Sequence, residues 1–281
     1  PATVRHGVDD LAARLAVHEE VYGVPLDGFS GSDDDAKLRA ALSYAAAQTR
    51  PPAIVLANRA HRFDGGPYPY YNGLRLVGSL GTLEREFASA GPQCVATVGG
   101  SALFSVPRDG VKNMFITGVQ FRAASGQVHF QTPITDFAKG PIVQDADFRG
   151  LAWVGFKTVM HARHLRCSIE RVYVNNGTDT QFKLAGSDNY YFVEGKSFMS
   201  AHALKASMFY LWFTHMSRTQ VGPIYITPEV ATAVRIDGSY GDLVFTGTLF
   251  DCTGRSASTA CQGAAVLITG GKGIVFRDCW C

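Results

Sequence analysis

The sequence predicts an all-β solenoid, one parallel coil per repeat, preceded by two short helices. Three observations carry this reading. The stretch "AVRIDGSYGDLVFTGTLFDC" from Ala233 matches "AVLITGGKGIVFRDCWC" from Ala265, so the chain contains an internal repeat. An apolar template, two alternating positions and then two more three residues later, recurs along the chain. It stands at Met114, Ile116, Val119 and Phe121, and again at Cys167, Ile169, Val172 and Val174. Leu243, Phe245, Thr248 and Phe250 repeat it, as do Ile274, Phe276, Cys279 and Cys281, with looser echoes at Tyr190/Phe192 and Phe209/Leu211. Period-two alternation buries one face of a strand, and the two-residue interruption turns a corner before the next. Third, the segments after Pro51-Pro52 are short, punctuated by glycine and rich in Val, Ile, Phe and Tyr, with no further helical pattern. An antiparallel sandwich would carry many tight hairpin signals, whereas Asn-Gly pairs occur only at Asn72-Gly73 and Asn176-Gly177.

Taken in order, the chain opens on Val4, Val8, Leu11, Leu15, His18 and Tyr22, spaced by alternating fours and threes. That spacing is a coiled-coil seam, too short to hold an oligomer alone, and an amphipathic helix packed on its own domain gives the same pattern. Residues 1–26 are read as a helical attachment or oligomerisation segment, and 27–281 as the β domain. Gly23, Pro25, Gly28 and Gly31 break the first helix, and a second begins at the acidic triplet Asp33-Asp34-Asp35. Ser32 can cap it with Asp35 three residues on, the acids favour the positive end of the helix dipole, and Pro51-Pro52 stops it. Leu38, Ala41, Leu42 and Ala45 form its apolar face. Capping explains the acidic triplet better than a metal site does. The final run "GKGIVFRDCWC" places Cys279 and Cys281 at inward positions, so the last coil is expected to be covered by a partner or continued by further chain.

Charged residues make up 18% of the 281, the net charge is +2, and no lysine/arginine block could track a phosphate backbone. Nucleic acid is therefore not an expected partner. No apolar run approaches the roughly 18 residues of a membrane span, and "PATVRHGVDDL" lacks a signal-peptide core, so synthesis in the cytoplasm is expected. The six cysteines show no CxxC pair, which points to isolated buried thiols and no zinc or other metal. Cys252 and Cys261 bracket "TGRSASTA" and could pair in an oxidising exterior.

The stretch "DGFSGSDDDAKLRAALSYAAAQTRPPAIVLANRAHRF" resembles the start of the pectate-lyase-like superfamily, and especially of bacteriophage tailspike and tail-fibre proteins. The pattern is an Asp-Gly turn at Asp27-Gly28, a polar cluster from Gly31 to Asp35, a helix from Leu38 to Ala47, and strands at Ile54–Ala57 and Leu74–Ser79. Beyond about Thr82 the likeness rests on repeat character alone. It implies a right-handed parallel β-helix whose open end is covered by the Ala-rich helix. It also implies a homotrimeric component of the virion tail, held to other tail proteins through its N-terminal region and touching a host-surface glycan or receptor. No cofactor is implied, and no catalytic motif of the superfamily can be matched residue by residue, so activity does not follow from fold.

Glycoside hydrolysis needs two carboxyl groups about 5–9.5 Å apart. Asp145 and Asp147 in "VQDADF" are one candidate pair, expected to share a strand face. Asp188 and Glu194, flanking "NYYFV", are another, with Glu170 in a neighbouring repeat. Tyr191, Tyr210 and Trp212 stand in the most aromatic stretch and are candidates for glycan stacking or subunit contact. His161, His164 and His215 lack metal-ligand companions and are expected to face solvent or be hydrogen-bonded. A polysaccharide depolymerase on the same architecture is the alternative to a structural tail protein. A secreted monomeric lyase fits less well, given the seam and the absent export signal.

Overall fold

A computed structural model describes residues 22–78, 94–134, 140–177, 179–185, 190–193, 195–199, 209–214, 216–227, 232–250 and 265–280. The chain is mostly β, and among the described residues every strand pair is parallel, in sheets of 15, eight and three strands. This is compatible with a solenoid.

The helix Asp34–Ala46 comes first, burying Leu38, Ala41, Leu42 and Ala45, the four residues of the expected face. Its cap differs by one residue from expectation. Asp33, in extended backbone, accepts from the Ala36 N–H at 2.8 Å, while the Ser32 hydroxyl donates sideways to Asp33. A carboxylate at the N-cap also meets the positive helix end, which a hydroxyl does not. The helix stops at Ala46, short of Pro51, where the Ala47 N–H turns back to the Ser43 and Tyr44 carbonyls. The two strands expected next lie at Ala53–Val55 and Arg75–Val77, paired with each other. Val24–Pro25 pairs on the far side of the first.

From there successive segments stack in sequence order. One column in register runs Leu76, Ile116, Phe148, Ile169, Phe192, Val221, Phe245, Phe276, of which Leu76, Ile116, Phe148, Ile169, Val221 and Phe245 are buried. The apolar template thus marks true layers, since Ile116, Ile169, Phe245 and Phe276 are its second positions. Phe148 belongs to an unrecognised copy, Ala146, Phe148, Leu151 and Trp153, all buried. In the eight-stranded sheet a parallel column runs Phe121, Trp153, Val174, Ser197, Ile226, Phe250.

The long strand Ile142–Arg149 divides the largest sheet. Its first residues pair with Met160–Leu165 and its last with Cys167–Glu170, after which the sheet continues as two branches. The bend between them is a left-handed residue at matching register, Asn113, Asp145 and Arg166 in three successive layers and Arg218, Asp242 and Gly273 in three more. An isolated left-handed residue ends one strand direction and starts another, which two alternating runs with a gap require. Of the looser echoes, Tyr190/Phe192 falls in the template's column, whereas Leu211 lies in the other branch with Phe182 and Val234. The segment 265–280 forms the edge of both branches and exposes Leu267, Ile268, Val275, Phe276 and Trp280.

Among the described residues Cys94, Cys167 and Cys279 are free thiols, the first two buried. Cys252, Cys261 and Cys281 lie outside the described residues, as does the seam apart from Tyr22. No helix among the described residues is long and apolar enough to cross a membrane.

Candidate functional site

Asp145 and Asp147 stand on the strand Ile142–Arg149, but not on one regular face. Asp145 has a left-handed backbone, φ 52°, so the strand changes direction between them. Two outward residues, Gln144 and Asp145, therefore separate inward Val143 from inward Ala146. Each carboxylate meets a different arginine. Arg166, one layer on, donates Nε and Nη2 to Asp145 at 2.7 and 2.9 Å. Arg149 donates Nε to Asp147 at 2.8 Å and lies 3.5 Å from Glu170, which also accepts from the Ser168 hydroxyl.

The Arg166 guanidinium, with help from Gln144, holds the Asp145 carboxyl below the usual carboxylate range. Asp145 is thus an anion at neutral pH and has no proton to give a leaving group. Asp147 lies in register with Ser168, Tyr191 and Gln220, so one register column holds a candidate acid and the backbone of a candidate aromatic residue two layers apart. For Tyr191 and Tyr210 only the backbone is described; Asp188, Glu194 and His215 lie outside the described residues.

Trp212 is fully described and belongs to the other branch. Register places Lys183 on the strand before it and Arg235 on the strand after. The Lys183 ammonium sits 3.6 Å from the centre of the indole ring and the Arg235 guanidinium carbon 4.5 Å from it, a cation from each neighbouring layer. Trp212 thus makes cation–π contacts with residues of both neighbouring layers. Its Nε1 donates to Asp237 at 2.5 Å, and Asp237 also accepts from Arg235 Nε at 2.5 Å and the Thr269 hydroxyl at 2.8 Å. Burial and the nearby Arg235 lower Lys183 from its ordinary value, against an upward pull from Asp237.

Lys183, Arg235 and Asp237 did not emerge from the sequence reading. A usable signal was present in the triplets Phe182-Lys183-Leu184, Leu211-Trp212-Phe213 and Val234-Arg235-Ile236, each a polar or amphipathic residue between two buried ones. His161 precedes Lys183 in the same column, and burial pushes its imidazole down to about 4. His164 is wholly buried and likewise displaced to about 4, its Nδ1 lying 3.4 Å from the Ala162 carbonyl.

At the helix start the acidic triplet is consumed by structure. Arg59 donates to both Asp27 and Asp34; Asp34 also accepts the Arg62 N–H, and Asp35 the Asp64 N–H and the Tyr68 hydroxyl. Among the described residues no three His, Cys, Asp or Glu side chains come together as metal ligands. Comparison with protein-family models, curated proteins and solved structures finds no match to this chain.

Proposed function

We propose that this chain is a tail-fibre or tailspike-like structural protein of a bacteriophage virion. In this reading it is a right-handed parallel β-helix that trimerises and meets the host-cell surface with its outward columns. The observation that carries it is the unbroken parallel register from Leu76 to Phe276, in which sequence order and stacking order agree. Parallel connections in one sheet are right-handed in nearly every protein, which supplies the hand. Such a stack is stiff along its axis and repeats its surface every layer, properties suited to a fibre that presents several weak contacts at once.

The sequence likeness at Asp27 to Phe63 supports the same reading, with the Ala-rich helix packed where the first strands begin. Of the acid candidates, Asp145 is held ionised by Arg166, which suits a nucleophile or base and not the general acid, so the depolymerase alternative still needs a proton donor. The test is adsorption. Antibodies raised against the chain should label the tails of virions that encode it, and the purified chain should compete with those virions for host envelopes. Virions without label, or adsorption unaffected by saturating chain, would sink the proposal.

A further inference from the structure

Three of the chain's eight histidines, His129, His161 and His164, stand at one joint of the fold. The three-stranded sheet ends on the strand His129–Gln131. Segment 158–161 carries the parallel bonding on from it: the Phe130, Gln131 and Ile134 N–H groups donate to the Thr158, Val159 and His161 carbonyls at 3.0, 3.2 and 3.1 Å. Met160–Leu165 then pairs with Phe182–Ala185 in the next layer and, at its far end, with Ile142–Gln144. One short strand therefore ties three pieces of sheet together. Its buried positions are Met160, Ala162 and His164, so His164 points into the core, 0% exposed, with Val143 beside it in register. A proton there would put a charge where water cannot solvate it. His161 takes an outward position, in register with Lys183.

The charged neighbours act in the same sense. Lys183 and His129 each oppose a proton on His161, and Lys157 opposes one on His129 against a pull from Asp179. Lys183 is itself drawn by Asp237 and Asp179 and opposed by Arg235. Arg163, on the joint strand, donates to the Gly140 carbonyl, and Asp145 on the adjoining strand is engaged by Arg166. His61, buried beneath the helix, instead lies 3.8 Å from a carboxylate, Asp34. We propose that Met160–Leu165 is an acid-sensitive joint: with His161 and His164 neutral it locks the three-stranded sheet to the branch beyond, and their protonation opens it. The direction follows from burial, which holds both imidazoles at about 4 in the fold, against about 6.5 in an open strand. Above about pH 6.5 neither state takes a proton and the joint has its full strength. As pH falls, the open strand is protonated first, and the loss is complete only near the folded value of about 4. At pH 5 each histidine raises the opening constant about 30-fold. Asp27 and Asp34, which anchor the helix through Arg59, are depressed carboxyls, so that contact persists through this window. The inference does not depend on what the outer surface binds.

Hydrogen exchange read by mass spectrometry tests this on the purified full chain at pH 7.5 and pH 5, with rates corrected for the intrinsic effect of pH. Peptides covering 128–134 and 158–165 should open about 100-fold more at pH 5, while the helix 34–46 stays within about threefold. His161→Gln should cut that response about 30-fold, and the double variant His161→Gln/His164→Leu should leave less than about tenfold. Because His164→Leu alters the core, the imidazole signals of the wild-type chain are also titrated by NMR. Those of His161 and His164 should have midpoints below pH 5, well under the ordinary value of about 6.5. Midpoints near 6.5 in the folded chain overturn the joint. So does an equal acceleration of joint and helix, which is general acid unfolding, or a full acid response in the folded double variant.

Discussion

Replacing Arg59 by Gln should loosen the helix Asp34–Ala46 from the sheets, by an amount that can be worked from the four hydrogen bonds Arg59 gives to carboxylates. Its guanidinium reaches Asp27 at 2.5 and 3.2 Å and Asp34 at 2.7 and 3.1 Å. The Asp34 side chain is only 15% exposed, so leaving it without this partner costs about 1.5–2 kcal/mol. Asp27 is 40% exposed, and solvent screening cuts its share to about 0.5 kcal/mol. The total, about 2 kcal/mol, is near a 30-fold rise in local opening of residues 34–46. Hydrogen exchange of the helix amides at pH 7 reads this directly.

The same pair of contacts sets a pH dependence. The hydrogen bonds from Arg59 lower Asp27 to about 2 and also depress Asp34. A carboxyl depressed in the folded state stabilises above its unfolded value, about 4, and that contribution disappears as pH falls through the folded value. The gap between wild type and Arg59→Gln in urea should therefore be full at pH 7 and shrink from pH 4 toward pH 2. Helix exchange within threefold of wild type, or a gap that ignores pH, would refute the reasoning.

Other expectations are equally direct. Phe148→Ala removes a fully buried ring from the inward column and should cost about 3–5 kcal/mol in chemical unfolding; under 1 kcal/mol would mean the column is not a packed core. Gly222 has φ +110°, and a Cβ there would lie 2.0 Å from the Thr246 carbonyl oxygen, so Gly222→Ala should destabilise by about 2–4 kcal/mol in thermal unfolding. Burial pushes the Cys167 thiol up to about 12, so iodoacetamide at pH 8 should leave it unmodified until urea unfolds the chain, as followed by peptide mass spectrometry.

Some of this architecture was readable from the residues and some was not, for physical reasons. Leu38, Ala41, Leu42 and Ala45 were legible because a helix spaces its buried face regularly. The template at Ile116, Ile169, Phe245 and Phe276 was legible because inward positions must be apolar wherever a layer is buried. The copy at Ala146 was hidden because a small residue fills its first position, and Asp145 and Asp147 drew attention as acids instead. The bend at Asp145 was invisible because aspartate tolerates left-handed backbone without announcing it, as glycine would. The grouping of Lys183, Trp212 and Arg235 was missed because loops of unequal length separate the layers, so residues that touch across strands keep no fixed interval in sequence. Helix caps are decided by one residue's backbone angle, which is why the cap fell to Asp33.

The most direct test of the fibre reading is the mass of the purified chain in solution by light scattering, alongside a variant lacking residues 1 to 26. The account predicts a species of three times the 30.3 kDa chain mass, weakened when Val4, Val8, Leu11, Leu15, His18 and Tyr22 are removed. A single-chain mass for both, at concentrations well above those expected for assembly, would contradict it and shift weight to a monomeric enzyme on the same sheets.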